Sequence, residues 1–250
     1  MLKPVLFNSV VSRTDNLTNK LILVTFKVTD PERIDFTPGQ FVNLRVVHAP
    51  MTFRSYSICS DYRVTSQFSV VASVSHEGPG SNFLRSLKPG DNVEFIGPSG
   101  RFNLEEPLKD KIIFVATGTG VAPFIPMLHY LEHTQFEGDV FLFFGVRHED
   151  EIFFKDELDN FMVSIPHFTY QICVSQPGNW FGNIGRVNSF VLVDSNAGYY
   201  LCGHPEVVED LSGRLLKAGV PSEHILFEKF TVKGPPMVGS PGLEPGTSSM

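Results

Sequence analysis

The chain is poor in cysteine: Cys59, Cys173 and Cys202 are its only three in 250 residues. Their odd number and wide spacing exclude a disulfide framework and a four-thiolate iron–sulfur or zinc site. Long apolar runs are also missing. The longest, such as Val140 to Val146, fall far short of the roughly 20 residues that a membrane-spanning helix needs. The start, Met1-Leu2-Lys3-Pro4, carries no signal-peptide pattern, so a cytoplasmic location without a membrane span is expected. A basic stripe is absent too. Residues 1 to 106 hold eleven Lys and Arg against ten Asp and Glu, and residues 107 to 232 hold eight against sixteen. This balance argues against a nucleic-acid partner and leaves the first half as the one suited to an acidic protein.

Eight histidines raise the question of a metal. His129 and His133 stand at i, i+4 on an expected helix, but no acidic third ligand shares their phase, so no metal site is expected.

What is present divides into two patterns. Residues 5 to 105 contain short runs rich in Val, Phe and Thr, and strands are expected over Leu21 to Val28, Gln40 to Val47, Arg54 to Cys59, Gln67 to Ser75 and Asn92 to Ile96. Pro38-Gly39, Pro89-Gly90 and Gly97-Pro98-Ser99-Gly100 punctuate them at spacings that fit an antiparallel barrel. A short helix is expected near Ser81, whose hydroxyl is placed to cap it. From residue 107, apolar runs at Lys111 to Ala116, Asp139 to Phe144, His167 to Val174 and Tyr199 to Leu201 alternate with helical stretches near 122 to 134, 155 to 162 and 205 to 218. Strands alternating with helices imply a parallel α/β sheet with both faces covered. The expected division is therefore a β-barrel domain over 1–106, an α/β domain over 107–232 and a Gly, Pro and Ser-rich disordered tail over 233–250.

Each pattern carries a motif with chemical content. In the first, Arg54-Ser55-Tyr56-Ser57 offers a fixed cation that can grip a diphosphate, an aromatic face and a hydroxyl. In the second, Gly118-Thr119-Gly120-Val121-Ala122-Pro123 follows the first apolar run. Pro123 stands where a dinucleotide fingerprint has its third glycine, which disfavours a Rossmann dehydrogenase. Glycines at 118 and 120 still allow close backbone approach to a diphosphate. Arg147, Ser175 and Cys202-Gly203-His204-Pro205 each follow an expected strand, which places them along one edge of the sheet, where such folds bind ligands. The order suggests a flavin first and a nucleotide second.

From about residue 5 to 232 the chain resembles the ferredoxin–NADP⁺ reductase family, which pairs an FAD-binding barrel with a pyridine-nucleotide domain. The resemblance implies that Arg54 holds the flavin diphosphate, Tyr56 stacks on the isoalloxazine, and Ser57, beside Ser55, lies near the ring atom that receives hydride. It implies a second flavin loop at Gly78, Gly80 and Ser81, with Val71, Ala72, Ser73 and Val74 on a lining strand. Gly118, Thr119 and Gly120 would meet the nucleotide, and Thr119 the flavin as well. Arg147, Ser175, Gln176 and Arg186 would hold the adenosine end, and Cys202, Gly203 and His204 the nicotinamide. Glu228 would take part in proton and hydride chemistry, and Phe230 would approach the flavin face. Ser57, Cys202 and Glu228 are thus the implied catalytic residues.

On the same grounds FAD is the expected cofactor, NADPH or NADH the substrate, and a separate ferredoxin or flavodoxin the electron acceptor of a monomeric enzyme. Gln176 stands where NADPH-specific members often carry arginine, so the nucleotide preference stays open. So do two alternatives within the family, an NADH-dependent reductase component of an oxygenase and an electron-transfer subunit of a larger complex. Members of the last kind carry a C-terminal cysteine cluster that this sequence does not have. A non-catalytic nucleotide-binding module is the remaining reading.

Overall fold

A computed structural model of the chain describes residues 5–48, 51–230 and 237–239. The first seven elements are β1 (Leu6–Asn16), β2 (Leu21–Asp30), β3 (Phe41–His48), β4 (Met51–Ser57), β5 (Gln67–Ser73), α1 (Pro79–Ser86) and β6 (Asn92–Ser99). The six strands form an antiparallel sheet in the order β4-β3-β6-β1-β2-β5. An Ile58–Val70 bridge and a bond from Cys59 N to Ser69 O (2.9 Å) join the two outer strands, so the sheet closes on itself and removes its own edges.

Alternation fills this barrel. Ile22, Val24, Phe26 and Val28 point inward from β2, and the rings of Phe26 and Phe68 stack at 5.1 Å. Phe68 meets Phe95 edge-on at 4.8 Å, and Phe95 stacks on Phe7 at 4.8 Å. Each ring pair adds about 0.5–1.5 kcal/mol beyond the burial of its area.

The elements that follow are β7 (Lys111–Thr117), a 3-10 turn (Gly118–Val121), α2 (Phe124–His133), β8 (Asp139–Val146), α3 (Lys155–Ser164), β9 (Phe168–Val174), β10 (Asn183–Ile184), β11 (Gly198–Gly203), α4 (Pro205–Lys217), β12 (Ile225–Lys229) and β13 (Met237–Gly239). Their sheet runs β10-β9-β8-β7-β11-β12-β13, parallel throughout except for β13. The chain starts in the middle at β7, builds outward to β10, then returns to lay β11 on the other side of β7. That reversal opens a crevice at the carboxyl ends of β7 and β11. One core of this unit gathers Val115, Phe143, Tyr199 and Leu201 from the strands with Val208, Leu211 and Leu215 from α4.

Contacts divide the chain into two compact units, Met1–Leu104 with Ala122–Thr134, and Glu105–Val121 with Gln135–Met250. The helix α2 therefore groups with the barrel and not with the strands that flank it in sequence. Phe102 packs on Phe124 at 5.9 Å and Tyr62 on Tyr130 at 6.0 Å. The tail expected to lack structure, 233–250, lies outside the described residues apart from Met237–Gly239, which pair with Phe227–Lys229.

Candidate functional site

In the barrel unit, β4 alternates so that Arg54 and Tyr56 share one face, while Ser55 and Ser57 share the other. Ser55 donates to Asn43 Oδ1 on the neighbouring strand at 2.7 Å, and Ser57 is buried. Arg54 is steadied by a bond from Nη1 to Phe53 O at 2.8 Å. Burial pushes the Tyr56 phenol up to about 12, against the opposing influence of the Arg54 charge, so it stays protonated at neutral pH.

The helix α1 brings its first turn to this face. A Cβ on Gly80 would stand 2.6 Å from Tyr56 Oη and 3.3 Å from Arg54 Cγ, so the absence of a side chain at Gly80 lets the helix start approach both groups without displacing them. The helix starts at Pro79, with Gly78 as N-cap and no side-chain cap bond. This corrects the expectation that Ser81 caps it. The fixed φ of Pro79 suits a first helical position and sets the start two residues earlier. The Ser81 hydroxyl instead donates to Ser73 O at 3.3 Å, which ties α1 to the end of β5. Val71 and Ala72 are buried on that strand, Ser73 is exposed and Val74 half-buried. An arginine beside a helix start that has uncapped amides and no acid in its first turn fits an anionic diphosphate. The donor set suits a diphosphate, and the Tyr56 ring offers an aromatic face beside it.

In the sheet unit, three strand ends converge. Gly120 lies so close to β11 that a Cβ would collide with the carbonyl oxygen of Cys202, and a Cβ on Gly203 would collide with Thr117 Oγ1. Gly203 also has φ +134, which L side chains rarely adopt. The amide of His204 donates to Thr117 Oγ1 at 2.8 Å, and that of Phe230 to Gly203 O at 2.9 Å. Gly118, Thr119, Cys202, Gly203, His204 and Phe230 are thus assembled at the carboxyl ends of β7, β11 and β12.

Behind them, Glu228 pairs in register with Cys202 and is fully buried. Burial, reinforced by the Glu228 charge, pushes the Cys202 thiol well above its ordinary range. It is therefore a neutral, protonated side chain and not a nucleophile.

Further along the same edge, Arg147, Ser175 and Arg186 follow β8, β9 and β10. Ser175 N donates to Val146 O at 3.0 Å, Gln176 N to Arg147 O at 2.8 Å, and Gly185 N to Val174 O at 2.9 Å. These bonds extend the ladder beyond the strands and hold the three loops together; the Arg147, Gln176 and Arg186 side chains are exposed. Two residues that sequence reasoning passed over lie here. His148 Nδ1 meets Gln176 O at 2.8 Å, and Glu149 Oε1 accepts from Gly178 N at 2.8 Å. The acid-rich run Glu149-Asp150-Glu151 was the available signal.

Among the described residues no group of three His, Cys, Asp or Glu could hold a metal, and no helix is long and apolar enough to cross a membrane. The His129–His133 pair has other engagements: His129 lies 3.4 Å from Glu132, and His133 meets the edge of Tyr62 at 6.4 Å.

Comparison with known proteins assigns a family to the two units. A model of the oxidoreductase FAD-binding domain matches residues 8–104, and one of the oxidoreductase NAD-binding domain matches residues 114–212. The toluate 1,2-dioxygenase electron transfer component of Pseudomonas putida is 32% identical over 229 residues, covering 90% of this chain and 67% of its own. Ferredoxin–NADP reductase B of Sorangium cellulosum is 31% identical over 224 residues, covering 83% and 90%. The fold is shared with a Neisseria gonorrhoeae ferredoxin NADP⁺ reductase solved with bound FAD and NADP, at a TM-score of 0.80 and 23% identity over 90% of this chain and 98% of that one. With an arginine-bearing strand against a glycine-opened helix start in one unit, and a glycine turn at the switch point of the other, the chain belongs to the ferredoxin–NADP⁺ reductase family, as an oxidoreductase with an FAD-binding and an NAD-binding domain.

Proposed function

We propose that the chain takes reducing equivalents from NAD(P)H and delivers them to a separate one-electron carrier, a ferredoxin, a flavodoxin or the iron–sulfur component of an oxygenase. The observation that carries this reading is the pair of anion cradles on one chain, Arg54 with the Gly78–Ser81 amides and the Gly118–Gly120 turn. When bound, FAD supplies two-electron acceptance and one-electron release.

The protein's own residues supply grip and alignment. Arg54 binds the flavin diphosphate by charge-assisted bonds, and Tyr56 offers its ring to the isoalloxazine. Gly118, Thr119 and Gly120 let the backbone reach the nucleotide diphosphate, while Cys202 gives the nicotinamide a small neutral wall. Glu228 is a buried carboxyl placed behind Cys202 to take part in the proton and hydride chemistry, and Ser57 supplies a hydroxyl on the flavin side. Arg147, Ser175, Gln176 and Arg186 hold the adenosine end.

The three cysteines are buried and form no disulfide, and no cluster of metal ligands forms among the described residues, so these two domains offer no iron–sulfur relay from the residues described. The Pseudomonas relative's role as an electron transfer component of a dioxygenase supports an oxygenase as acceptor, and the Sorangium relative's name supports ferredoxin.

The test is anaerobic stopped-flow spectroscopy on the purified protein. A yellow protein should bleach with NADH or NADPH and regain colour when oxidised ferredoxin, flavodoxin or an oxygenase component is added. Protein that binds no flavin after reconstitution with FAD would sink the reading.

A further inference from the structure

The loops after β8 and β9 are joined by more than the strand ladder. Beyond Gln176 the two main chains are bridged by side chains from the β8 loop, His148 to Gln176 O and Glu149 to Gly178 N. Gly178 sits directly under the Glu149 carboxylate, since a Cβ there would lie 3.8 Å from both oxygens. Amide donors, first that of Glu149 itself and then those of Gly178 and Asn179, hold this carboxyl below its usual range. It is an anion at neutral pH. Glu151 Oε2 accepts from Arg147 N at 3.2 Å, so the segments presenting Arg147 and Gln176 are both fixed by carboxylates.

We propose that Glu149 determines nucleotide choice, clamping the Gln176–Asn179 turn in place while setting a negative charge beside it that disfavours the 2′-phosphate of NADPH. The proposal rests on the reading of the β8 and β9 ends as the adenosine site. NADH brings a hydroxyl to that position and NADPH a phosphate with up to two charges, so a fixed carboxylate nearby acts on the second and hardly on the first. Glu149 is a positioning residue; its oxygen holds the turn through Gly178, and its charge selects.

The two roles separate by substitution. Glu149→Gln keeps an acceptor for Gly178 N and removes the charge, whereas Glu149→Ala removes both. The FAD-loaded protein is titrated calorimetrically with 5′-AMP and with adenosine 2′,5′-bisphosphate, and amide hydrogen exchange is followed at Gly178 and Asn179. Glu149→Gln should bind the bisphosphate about three- to tenfold more tightly, a size set by like charges separated in a largely aqueous medium, with AMP affinity within about twofold of wild type. Glu149→Ala should weaken AMP about fivefold or more and speed exchange at both amides, and Glu149→Gln should restore both. An unchanged affinity ratio in Glu149→Gln, with wild type binding AMP, overturns the role of Glu149 alone. Failure of wild type to bind either ligand overturns the adenosine-site reading and the proposal with it.

Discussion

The barrel and the parallel sheet build their cradles from different material. On β4 the groups are side chains, Arg54 and Tyr56, standing on a strand that would pair with β3 whatever they were. At the ends of β7 and β11 the groups are backbone, and glycine is needed because Gly120 and Gly203 press against neighbouring main chain. A side-chain site can be emptied by deletion while the fold survives. A backbone site is lost only by adding atoms, and then the fold suffers with it.

The largest effect should come from adding those atoms. Gly203→Ala forces a residue at φ +134 into collision with Thr117 and should cost about 2–4 kcal/mol, combining backbone strain with overpacking. Urea denaturation read by circular dichroism should show it, and an unchanged midpoint would mean that the β7–β11 junction yields freely.

Arg54→Ala removes a charge-assisted contact worth about 1.5–3 kcal/mol. FAD affinity should fall roughly ten- to a hundredfold, with the melting temperature of flavin-free protein unmoved. Fluorescence titration with FAD checks the first and calorimetry the second; lost stability in the flavin-free form would erase the contrast between the two cradles.

A glycine in the barrel sharpens the comparison further. Gly80→Ala meets the free end of a tyrosine side chain at 2.6 Å, which can swing aside, so it should cost about 1 kcal/mol in FAD binding and little in folding. Should it destabilise the apo-protein as much as Gly203→Ala, the two cradles are built alike after all.

The smallest effect concerns charge. Lys111, at the start of β7, bonds Asp194 at 2.8 Å and holds its carboxyl below the ordinary range. A depressed folded-state pKa contributes stability above the unfolded value of about 3.9 and loses it as pH falls through the folded value. Both groups are about a third exposed, so the contribution is about 0.2–1 kcal/mol. Asp194→Asn should lower stability by that amount at pH 7 and by progressively less as pH falls through the depressed carboxyl range, as urea midpoints over a series of acidic pH values would reveal.

Much of this was legible in the residues. The Val, Phe and Thr runs marked most strands, and their change of rhythm near residue 107 marked the passage from barrel to parallel sheet. The central strand β1 was not visible, because Ser9 takes an inward position that an apolar residue would normally hold; its hydroxyl donates to Val93 O at 2.8 Å. The glycine turn and the Cys202–Pro205 run could be read because close backbone approach demands particular residue types. The helix start at Pro79 was obscured by a serine that looked like a cap and is used elsewhere. The acid-rich run that holds Glu149 was visible but its engagement was not, since its partner Gly178 lies 29 positions away and only the pairing of β8 with β9 brings the two together.

The placement of α2 bears on how the chain could be divided. Its Phe124, Ile125, Met127, Leu128 and Leu131 are all buried, and Phe124 lies against Phe102 from the opposite side of the boundary that composition suggests. A polypeptide beginning at residue 107 would carry this helix without Phe102 or the Gly39 loop that meets Met127, leaving apolar surface exposed to water. The nucleotide-binding half is therefore a poor candidate for expression by itself, whereas grafting Ala122–Thr134 onto the barrel by a new linker would preserve a compact unit.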